Sequence, residues 1–450
     1  MVQLRVDGND TGSIVLERYL VFAMTCLALL CWGVICVVSR RPGEMALVVF
    51  LAASATMVAA TAVTVWRFHR TGQRIPFIWL FLSALLLRLL SLYGEPLFED
   101  DYYRYLWDGY QTVVTGDPYS IAPAVFFDLD VPEIFEPVLS LINYPEIASV
   151  YGPVTQWVFA LGYLIDAAKV WPLQMLAGLA DLAVLVLLYR LGARNVLLFY
   201  AWSPLLLKEF SLTAHPDIFA ILAMVASMYA VKKQQAWLAG LALGLGFGAK
   251  VFAILVLPYL LSSRLSLRHW VSLLTGFVVT LVAITLWYGS LVIWVPEGLR
   301  AMADSWLFNA GLYLLLLNFF EFQTIKYILL GCFFLYGLVT FGRRMLRLLR
   351  LRNKNNYEVG AQTSLEQSAD LQWVESASAF RGDWLFLVFL LALPVINPWY
   401  VAWLLPFATL YPRWWTWVLS YCCMLSYWHG ANAGISGAGS LWLPPAVVAV

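Results

Sequence analysis

Long apolar runs separated by short polar segments dominate the chain. A membrane-spanning helix needs about 20 apolar residues, and runs of that kind recur from Tyr19 onwards. The pattern therefore predicts an all-α, polytopic transmembrane protein with roughly 11–14 spans. The predicted spans are Tyr19–Val38, Met45–Trp66, Pro76–Tyr93, 172–190, 195–211, 216–231, 236–262, 270–293, 325–342, 384–411 and 414–428.

Two of these apolar runs are interrupted in the middle. Ala249-Lys250 divides 236–262, and Asn397-Pro398 divides 384–411. Proline removes a helical hydrogen bond, and an ammonium in hydrocarbon is costly. We therefore predict a pair of short helices at each place. Before the first break, the small residues Gly240, Gly244 and Gly248 predict close packing against another helix.

Basic residues cluster in particular loops between the runs. Cytoplasmic loops carry an excess of lysine and arginine. Placing the basic loops inside leaves the polar, aromatic segment 94–150, the region around His215-Pro216-Asp217 and both predicted breaks on the outer face. Only the short Arg40-Arg41 loop disagrees. The basic loops are Arg67–Arg74, Arg190–Arg194, Lys232–Lys233, Arg264–His269, Arg343–Lys354 and Arg413.

Composition supports the membrane prediction. Hydrophobic residues make up 62% of the chain and charged residues 12%, against roughly 25% charged in soluble proteins. We predict an N-terminal transmembrane hairpin over 1–75, a transmembrane core over 76–342, a disordered cytoplasmic loop over 343–382 and C-terminal transmembrane helices over 383–450. The net charge of +1 indicates no particular partner. We expect contact with membrane lipids and none with nucleic acid.

The segment 97–119 reads LFEDDYYRYLWDGYQTVVTGDPY. If Asp100–Tyr110 is a helix, Asp100, Arg104 and Asp108 share one stripe, followed by a turn at Thr115–Pro118. The helix either presents this polar stripe to a ligand at the membrane interface, or its charges only pair with each other. A neighbouring aromatic stripe, predicted to anchor the helix in the membrane, consists of Tyr103, Trp107 and Tyr110.

The motif EDDYYRYLWDGY…TGDPY resembles the first extracytoplasmic loop of class C glycosyltransferases. It is similar to bacterial mannosyltransferases with an acidic-pair–Arg-Tyr–Trp-Asp-Gly signature, and to the first mannosyltransferase of glycosylphosphatidylinositol synthesis. The resemblance covers 80–411 and includes Tyr151-Gly152-Pro153, Ser203-Pro204, His215-Pro216-Asp217, Gly248-Ala249-Lys250 and Pro398-Trp399-Tyr400.

This resemblance implies a GT-C-like fold and a transfer of hexose, with mannose as first choice, from a polyprenyl-phosphate donor. The acceptor would be lipid-linked or another envelope glycan, and the active site would face the periplasm from the inner membrane. It also implies that one carboxylate of the first outer loop takes the proton of the acceptor hydroxyl. Asp100 is our first candidate for this base and Asp101 the second. An acidic pair can also bind a divalent ion, but the family's mannosyltransferases generally need none, so no metal or cofactor is expected.

The departing lipid phosphate needs cations or hydrogen-bond donors. Lys250 is the most informative candidate because it interrupts an apolar run, although a lysine that only extends to the interface gives the same pattern. Arg104 and Lys208 are further candidates. His215 and Asp217 either bind substrate or, with Pro216, start a helix.

Three further residues have paired interpretations. Arg88 either pairs with the acidic loop or extends to the interface. Trp399 and Tyr400 either stack on a sugar or belong to an interfacial aromatic belt beside a helix break.

A secondary transporter is the alternative function, because the broken helices at Lys250 and Pro398 can form a site in the middle of the membrane. The acidic cluster beyond a span's end and the lack of an internal repeat favour the enzyme. A non-catalytic scaffold is a third option.

Overall fold

The computed structural model describes residues 9–43, 45–263, 266–358 and 381–429. The regular elements in these ranges are helices, joined by one isolated β-bridge between Phe308 and Val395. The all-α prediction is therefore confirmed. The α-helices are α1 (Asn9–Ser39), α2 (Ala46–Arg70), α3 (Phe77–Ser91), α4 (Asp101–Val114), α5 (Glu136–Ser140), α6 (Pro153–Ile165), α7 (Trp171–Leu191), α8 (Leu197–Ala201), α9 (Pro204–Leu206), α10 (Asp217–Lys232), α11 (Ala236–Ala249), α12 (Leu257–Ser262), α13 (Leu267–Tyr288), α14 (Glu297–Ser305), α15 (Gly311–Leu316), α16 (Phe322–Glu358), α17 (Gly382–Leu391), α18 (Leu405–Leu410) and α19 (Trp414–Cys422). Short 3-10 segments are Pro123–Asp128, Glu133–Phe135, Val251–Val256, Val292–Trp294, Pro398–Leu404 and Cys423–His429, and Leu207–Leu212 is a π-helix.

Five helices of the described chain are long and apolar enough to cross a membrane, or six if the bent pair Leu197–Leu212 and Asp217–Lys232 forms one span. This number is lower than the roughly 11–14 spans predicted from run length. The difference arises because many apolar runs are broken into helices shorter than the roughly 20 residues that span the hydrocarbon. The shorter apolar helices are Phe77–Ser91, Pro153–Ile165, Ala236–Ala249, Val251–Ser262 and Gly382–Leu391.

Both predicted breaks are confirmed. Helix α11 ends at Ala249, and Lys250 has extended backbone angles before the 3-10 segment Val251–Val256 begins. Helix α17 ends at Leu391, and Pro398 opens the next 3-10 segment. Pro and a charged residue thus stop helices in runs that hydropathy alone would make continuous.

The glycine face of α11 packs as predicted. A Cβ on Gly240 would lie 2.0 Å from the carbonyl oxygen of Leu273 in α13, and one on Gly244 would lie 2.6 Å from Thr280 Cβ. A Cβ on Gly152 would lie 2.3 Å from the Gly248 carbonyl oxygen. The Tyr-Gly-Pro motif therefore rests directly on the backbone that leads into Lys250.

Hydrogen bonds between loops show which loops lie at the same end of the helix bundle. At the first end, called the acidic-loop end, Ser39 Oγ accepts from Glu95 N at 3.0 Å and Gln174 Nε2 donates to Leu212 O at 2.7 Å. Arg40, from the short loop that we predicted as the exception to the positive-inside rule, also lies here and donates to Tyr93 O at 2.9 Å.

At the opposite, basic end, Asn195 binds the backbone of Gln73 and Ile75. Lys232 Nζ donates to Arg190 O at 2.9 Å there. Three of the basic loops predicted to share one side, 67–74, 190–194 and 232–233, thus lie at the same end of the bundle.

The segment 94–150 has a small hydrophobic core of its own. Trp107 is 1% exposed, and its ring centroid lies 5.1 Å from that of Phe126. The Tyr110 and Phe135 centroids are 4.6 Å apart. The prediction that this aromatic stripe anchors the helix in the membrane is therefore wrong for Trp107 and Tyr110, because the folded loop supplies their apolar contacts. The turn is as expected, with Gly116 at positive φ and Thr115 Oγ1 accepting from Asp117 N.

The structure differs from the prediction of a disordered loop over 343–382 in the first part of that segment. Helix α16 runs through to Glu358, because leucine and arginine both favour helix and continue it beyond the apolar part. Residues 359–380 of that loop, and 430–450 of the predicted C-terminal region, lie outside the described residues.

Candidate functional site

Five buried polar side chains meet at the acidic-loop end of the bundle. We call them the charge cluster; each is at most 7% exposed. They come from four places in the chain: the residue pair before α4, the π-helix, the turn before α10, and the last 3-10 segment. The cluster consists of Glu99, Lys208, Glu209, His215 and Tyr427.

Lys208 lies at the centre of this cluster. Its Nζ donates to Glu99 Oε1, to Glu209 Oε2 at 3.2 Å and to Tyr427 Oη at 2.8 Å. These contacts use all three hydrogens of an ammonium group. The π-helix that carries Lys208 inserts an extra residue per turn, shown by Thr213 N donating to Lys208 O, and such insertions recur at functional sites.

His215 connects the cluster to the acidic loop. Its Nε2 faces Glu99 Oε2 and lies 3.3 Å from Glu209 Oε2, while its Nδ1 is 2.7 Å from Tyr105 Oη. A neutral imidazole has one donor and one acceptor nitrogen. With Tyr105 donating to Nδ1, the proton is on Nε2 and points at Glu99. The Trp399 ring stacks on the imidazole at 3.9 Å.

The cluster has room for one more proton. Two carboxylates, one ammonium and a neutral histidine leave a formal charge of −1. Tyr427 Oη contacts both Glu99 Oε1, at 2.8 Å, and Glu209 Oε1, but it has a single hydrogen to donate. Burial raises the pKa of Glu99, with Lys208 opposing it. Protonation of one of the two glutamates would neutralise the cluster.

Glu99, Glu209 and His215 also offer ligand atoms that all lie within 4.8 Å of one another. Carboxylate and imidazole are metal ligands. However, the Lys208 ammonium already binds both carboxylates, so a divalent ion would have to compete with an internal cation. The donor set fits a metal poorly, and the expectation of no metal stays a prediction.

Asp217 and Lys250 form a second charged group beside the cluster. Lys250 Nζ donates to both Asp217 carboxylate oxygens, at 2.8 and 2.9 Å, and Trp403 Nε1 donates to Oδ1 at 2.7 Å. Lys250 Nζ lies 4.7 Å from the centroid of the Tyr400 ring. The Lys250 side chain is 27% exposed and that of Asp217 only 1%. The helix break thus gives a paired ammonium access to the surface.

Asp101 is the first residue of α4. Its carboxylate has no hydrogen bond or ion pair with any residue in the described ranges. Burial raises the pKa of Asp101 to about 6, with His215 and Lys250 lowering it and Glu99 raising it further. An unpaired carboxylate within electrostatic reach of these groups is available to take up a proton.

Asp100, the first candidate from sequence, is held differently. Asn143 Nδ2 donates to its Oδ1, and burial raises the pKa of Asp100 as well. Because Asp100 is occupied and Asp101 is not, the geometry reverses our order of the two candidates.

Arg104 and Asp108 share a helix face as predicted, but their partners lie within the loop. Arg104 Nε donates to Asp108 Oδ1 at 3.1 Å, and Gln156 Nε2 donates to Asp108 Oδ2 at 3.1 Å. Arg104 also donates to Ile147 O, and Ser149 to Asp108. These bonds join α4 to 147–156. They agree with the alternative in which the charges of Arg104 and Asp108 pair within the protein and do not face a ligand.

The expectation that Arg88 pairs with the acidic loop or extends to the interface is wrong. Arg88 is 4% exposed, and its Nη2 binds Asp181 Oδ2 at 2.6 Å. Its partner lies in α7, so Arg88 joins two helices inside the bundle.

The aromatic-belt interpretation of Trp399 and Tyr400 is also wrong. The two side chains are 6% and 7% exposed because they pack on His215 and Lys250. His215 is not a helix cap either: α10 begins at Asp217 after Pro216, but the side chains of His215 and Asp217 bind other elements of the site.

Sequence reasoning missed several of the partners. Glu209 and Asp181 are acidic residues inside apolar runs, and such residues indicate a buried partner or a functional site. Tyr427 has no comparable local signal, since it is separated from Lys208 by 219 positions. Trp403 is one of many tryptophans in its region.

No family model, no curated protein and no solved structure matches the chain.

Proposed function

We propose that the protein is a membrane glycosyltransferase that moves a hexose, mannose as first choice, from a polyprenyl-phosphate donor to a lipid-linked or envelope glycan acceptor. The proposal takes the reaction from the resemblance of the 97–119 motif to class C glycosyltransferases. The observation that carries it is the Asp101 carboxylate, which has no hydrogen bond or ion pair among the described residues and lies within electrostatic reach of Lys250 at the same end of the bundle. The site would face the periplasm of an inner membrane, consistent with the basic residues at the opposite end.

Asp101 is the proposed general base. It takes the proton of the acceptor hydroxyl while that oxygen forms its bond to the sugar's anomeric carbon. The bond from this carbon to the phosphate oxygen breaks, and polyprenyl phosphate leaves with the electron pair. Inversion results because a single displacement occurs. A pKa of about 6 leaves Asp101 mostly ionised at neutral pH yet basic enough for proton transfer.

Lys250 is the proposed contact for the departing phosphate. Its ammonium has three hydrogens, two of which point at Asp217, so one remains for a ligand. Asp217, Trp403 and Tyr400 fix the position of this group. Lys208 is fully buried with all its hydrogens used, and we assign it the role of holding Glu99 and Glu209 in place.

Trp399 lies against His215 rather than at the surface, so we assign it to positioning the imidazole. His215 in turn contacts Glu99, which lies two residues before Asp101 in the chain. These residues therefore shape the base's surroundings.

A secondary transporter remains the second candidate because one observation favours it. The charge cluster can take up a proton, and two broken helices, at Lys250 and Pro398, lie beside it. Proton-coupled carriers combine these features.

One experiment separates the two candidates. Purified protein in sealed vesicles receives polyprenyl-phosphate mannose with radiolabelled sugar and a membrane lipid extract. The enzyme converts the label into a new lipid-linked product that thin-layer chromatography resolves. Uptake of label into the vesicle lumen with no new product would contradict the proposal and favour the transporter.

A further inference from the structure

Three exposed arginines lie on one face of α16, just beyond its apolar part. Arg343, Arg347 and Arg350 occur at i, i+4 and i+7, so they project from the same side of the helix. Within the described ranges, none of the three forms a hydrogen bond or an ion pair. A row of unpaired guanidinium groups is therefore available to an outside partner.

The length of α16 indicates where these arginines lie relative to the hydrocarbon core of a membrane. The helix has 37 residues and so is about 55 Å long at a rise of 1.5 Å per residue. The hydrocarbon core is about 30 Å thick and is crossed by about 20 residues. Counted from Phe322, the helix leaves the hydrocarbon just before Arg343. Arg347 and Arg350 then lie roughly 6 and 10 Å further along the axis, at and just above the headgroups.

Arg344 fixes the rotation of this part of the helix. Unlike its neighbours it is buried, at 6% exposure. It donates to Ser262 Oγ of α12, and its guanidinium lies 4.9 Å from the Tyr259 ring centroid. Arg343, Arg347 and Arg350 are themselves exposed, so their side of the helix is turned away from the bundle. Leu346 and Leu349 are also exposed, at 56% and 45%, and supply apolar contact beside the charges.

We propose that Arg343, Arg347 and Arg350 form a binding site for the phosphate headgroups of anionic phospholipids. Guanidinium groups bind phosphate through paired hydrogen bonds, and basic residues next to a span attract anionic lipid within the Debye length. The neighbouring leucines reach the acyl region, which a free phosphate ion cannot use. This inference does not depend on the proposed transferase activity.

The test is lipid binding by the delipidated full-length protein in a neutral detergent, followed by native mass spectrometry. The probes are phosphatidylglycerol and phosphatidylcholine, with inorganic phosphate as competitor. We expect phosphatidylglycerol to bind at least about tenfold more tightly than phosphatidylcholine, and millimolar phosphate not to displace it. The triple variant R343Q/R347Q/R350Q should lose this preference.

A matched control has the same change in net charge. The triple variant R74Q/R194Q/R268Q removes exposed basic residues from two loops and from the first turn of α13, and it should keep the lipid preference. The inference is overturned if the wild type shows no preference, if both triple variants behave alike, or if inorganic phosphate competes as well as lipid does. Should R343Q/R347Q/R350Q fold poorly, the single variant R347Q must still weaken phosphatidylglycerol binding about fivefold.

Discussion

Two of the ion pairs in the described part of the chain are built differently. Arg88 and Asp181 join two unbroken helices, α3 and α7, and both side chains are almost fully buried. Arg88 also donates to the backbone of Ala84 and Ala201, and Tyr200 donates to Asp181 Oδ1 at 2.7 Å. Every charged group of this pair therefore has its partners inside the protein.

Lys250 and Asp217 pair instead at a helix break and a helix start. Lys250 is 27% exposed and keeps one ammonium hydrogen beyond the two that bind Asp217. The comparison separates two uses of charge in a membrane bundle. A charge inside a continuous helix holds helices together, whereas a charge at a break stays in reach of a ligand.

The largest predicted effect is on the structural pair. Arg88→Leu leaves the Asp181 carboxylate buried without its cation, which costs about 3–5 kcal/mol of unfolding free energy. Thermal unfolding in detergent should show a clear loss of stability. The double variant Arg88→Leu/Asp181→Leu should recover much of that loss, since apolar side chains can replace a buried ion pair. A single variant as stable as the wild type would remove the distinction between the two pairs.

A smaller effect, on activity rather than stability, is expected at the Lys250–Asp217 pair. Lys250→Gln removes the cation proposed to meet the leaving phosphate, and the transfer rate should fall about tenfold to a hundredfold. Because glutamine keeps an amide donor for Asp217 and Lys250 is partly exposed, unfolding should change much less than in Arg88→Leu. Lys250→Arg serves as the control and should keep part of the rate. Lys250→Gln with wild-type transfer would contradict the phosphate role.

The smallest predicted effect is the pH dependence of transfer. Burial raises the pKa of Asp101 from 3.8 to about 6, and a general base works only when ionised. The value of kcat/KM should therefore rise with pH and level off above about 7, with about a tenth of the plateau left at pH 5. A flat profile between pH 5 and 7 would exclude Asp101 as the base.

The raised pKa of Asp101 also makes stability depend on pH, and stability falls with rising pH where kcat/KM rises. The folded state of Asp101 binds a proton more tightly than the unfolded state, so this group's contribution to stability falls as pH rises from about 4 to about 6. Asp101→Asn should accordingly fold at least as well as the wild type at neutral pH. A marked loss of thermal stability in this variant would indicate a structural role.

The local sequence pattern was sufficient to predict the helical fold, the helix breaks and some contacts. Lys250 and Pro398 could be placed at helix breaks because ammonium and proline both stop a helix in an apolar run. The Arg104–Asp108 contact follows from helical spacing. The close packing of Gly240 follows from its small size.

Contacts between distant parts of the chain could not be found in this way. Asp181 lies 93 residues from Arg88, and no local period relates them. The choice between Asp100 and Asp101 depended on Asn143, whose side chain occupies the first of the two. The described part of the chain has fewer helices of spanning length than the roughly 11–14 predicted spans, because hydropathy counts apolar residues and does not register where a run bends.

The assignment of Asp101 as the general base is tested by comparing Asp101→Asn with Asp100→Asn in the mannose-transfer assay, with both variants checked for wild-type unfolding. We expect Asp101→Asn to lose transfer by roughly a hundredfold to ten-thousandfold, and Asp100→Asn to lose less than about tenfold, because Asp100 already accepts from Asn143 and takes no proton from the acceptor. Full transfer by Asp101→Asn, or a larger loss in Asp100→Asn, would contradict the account.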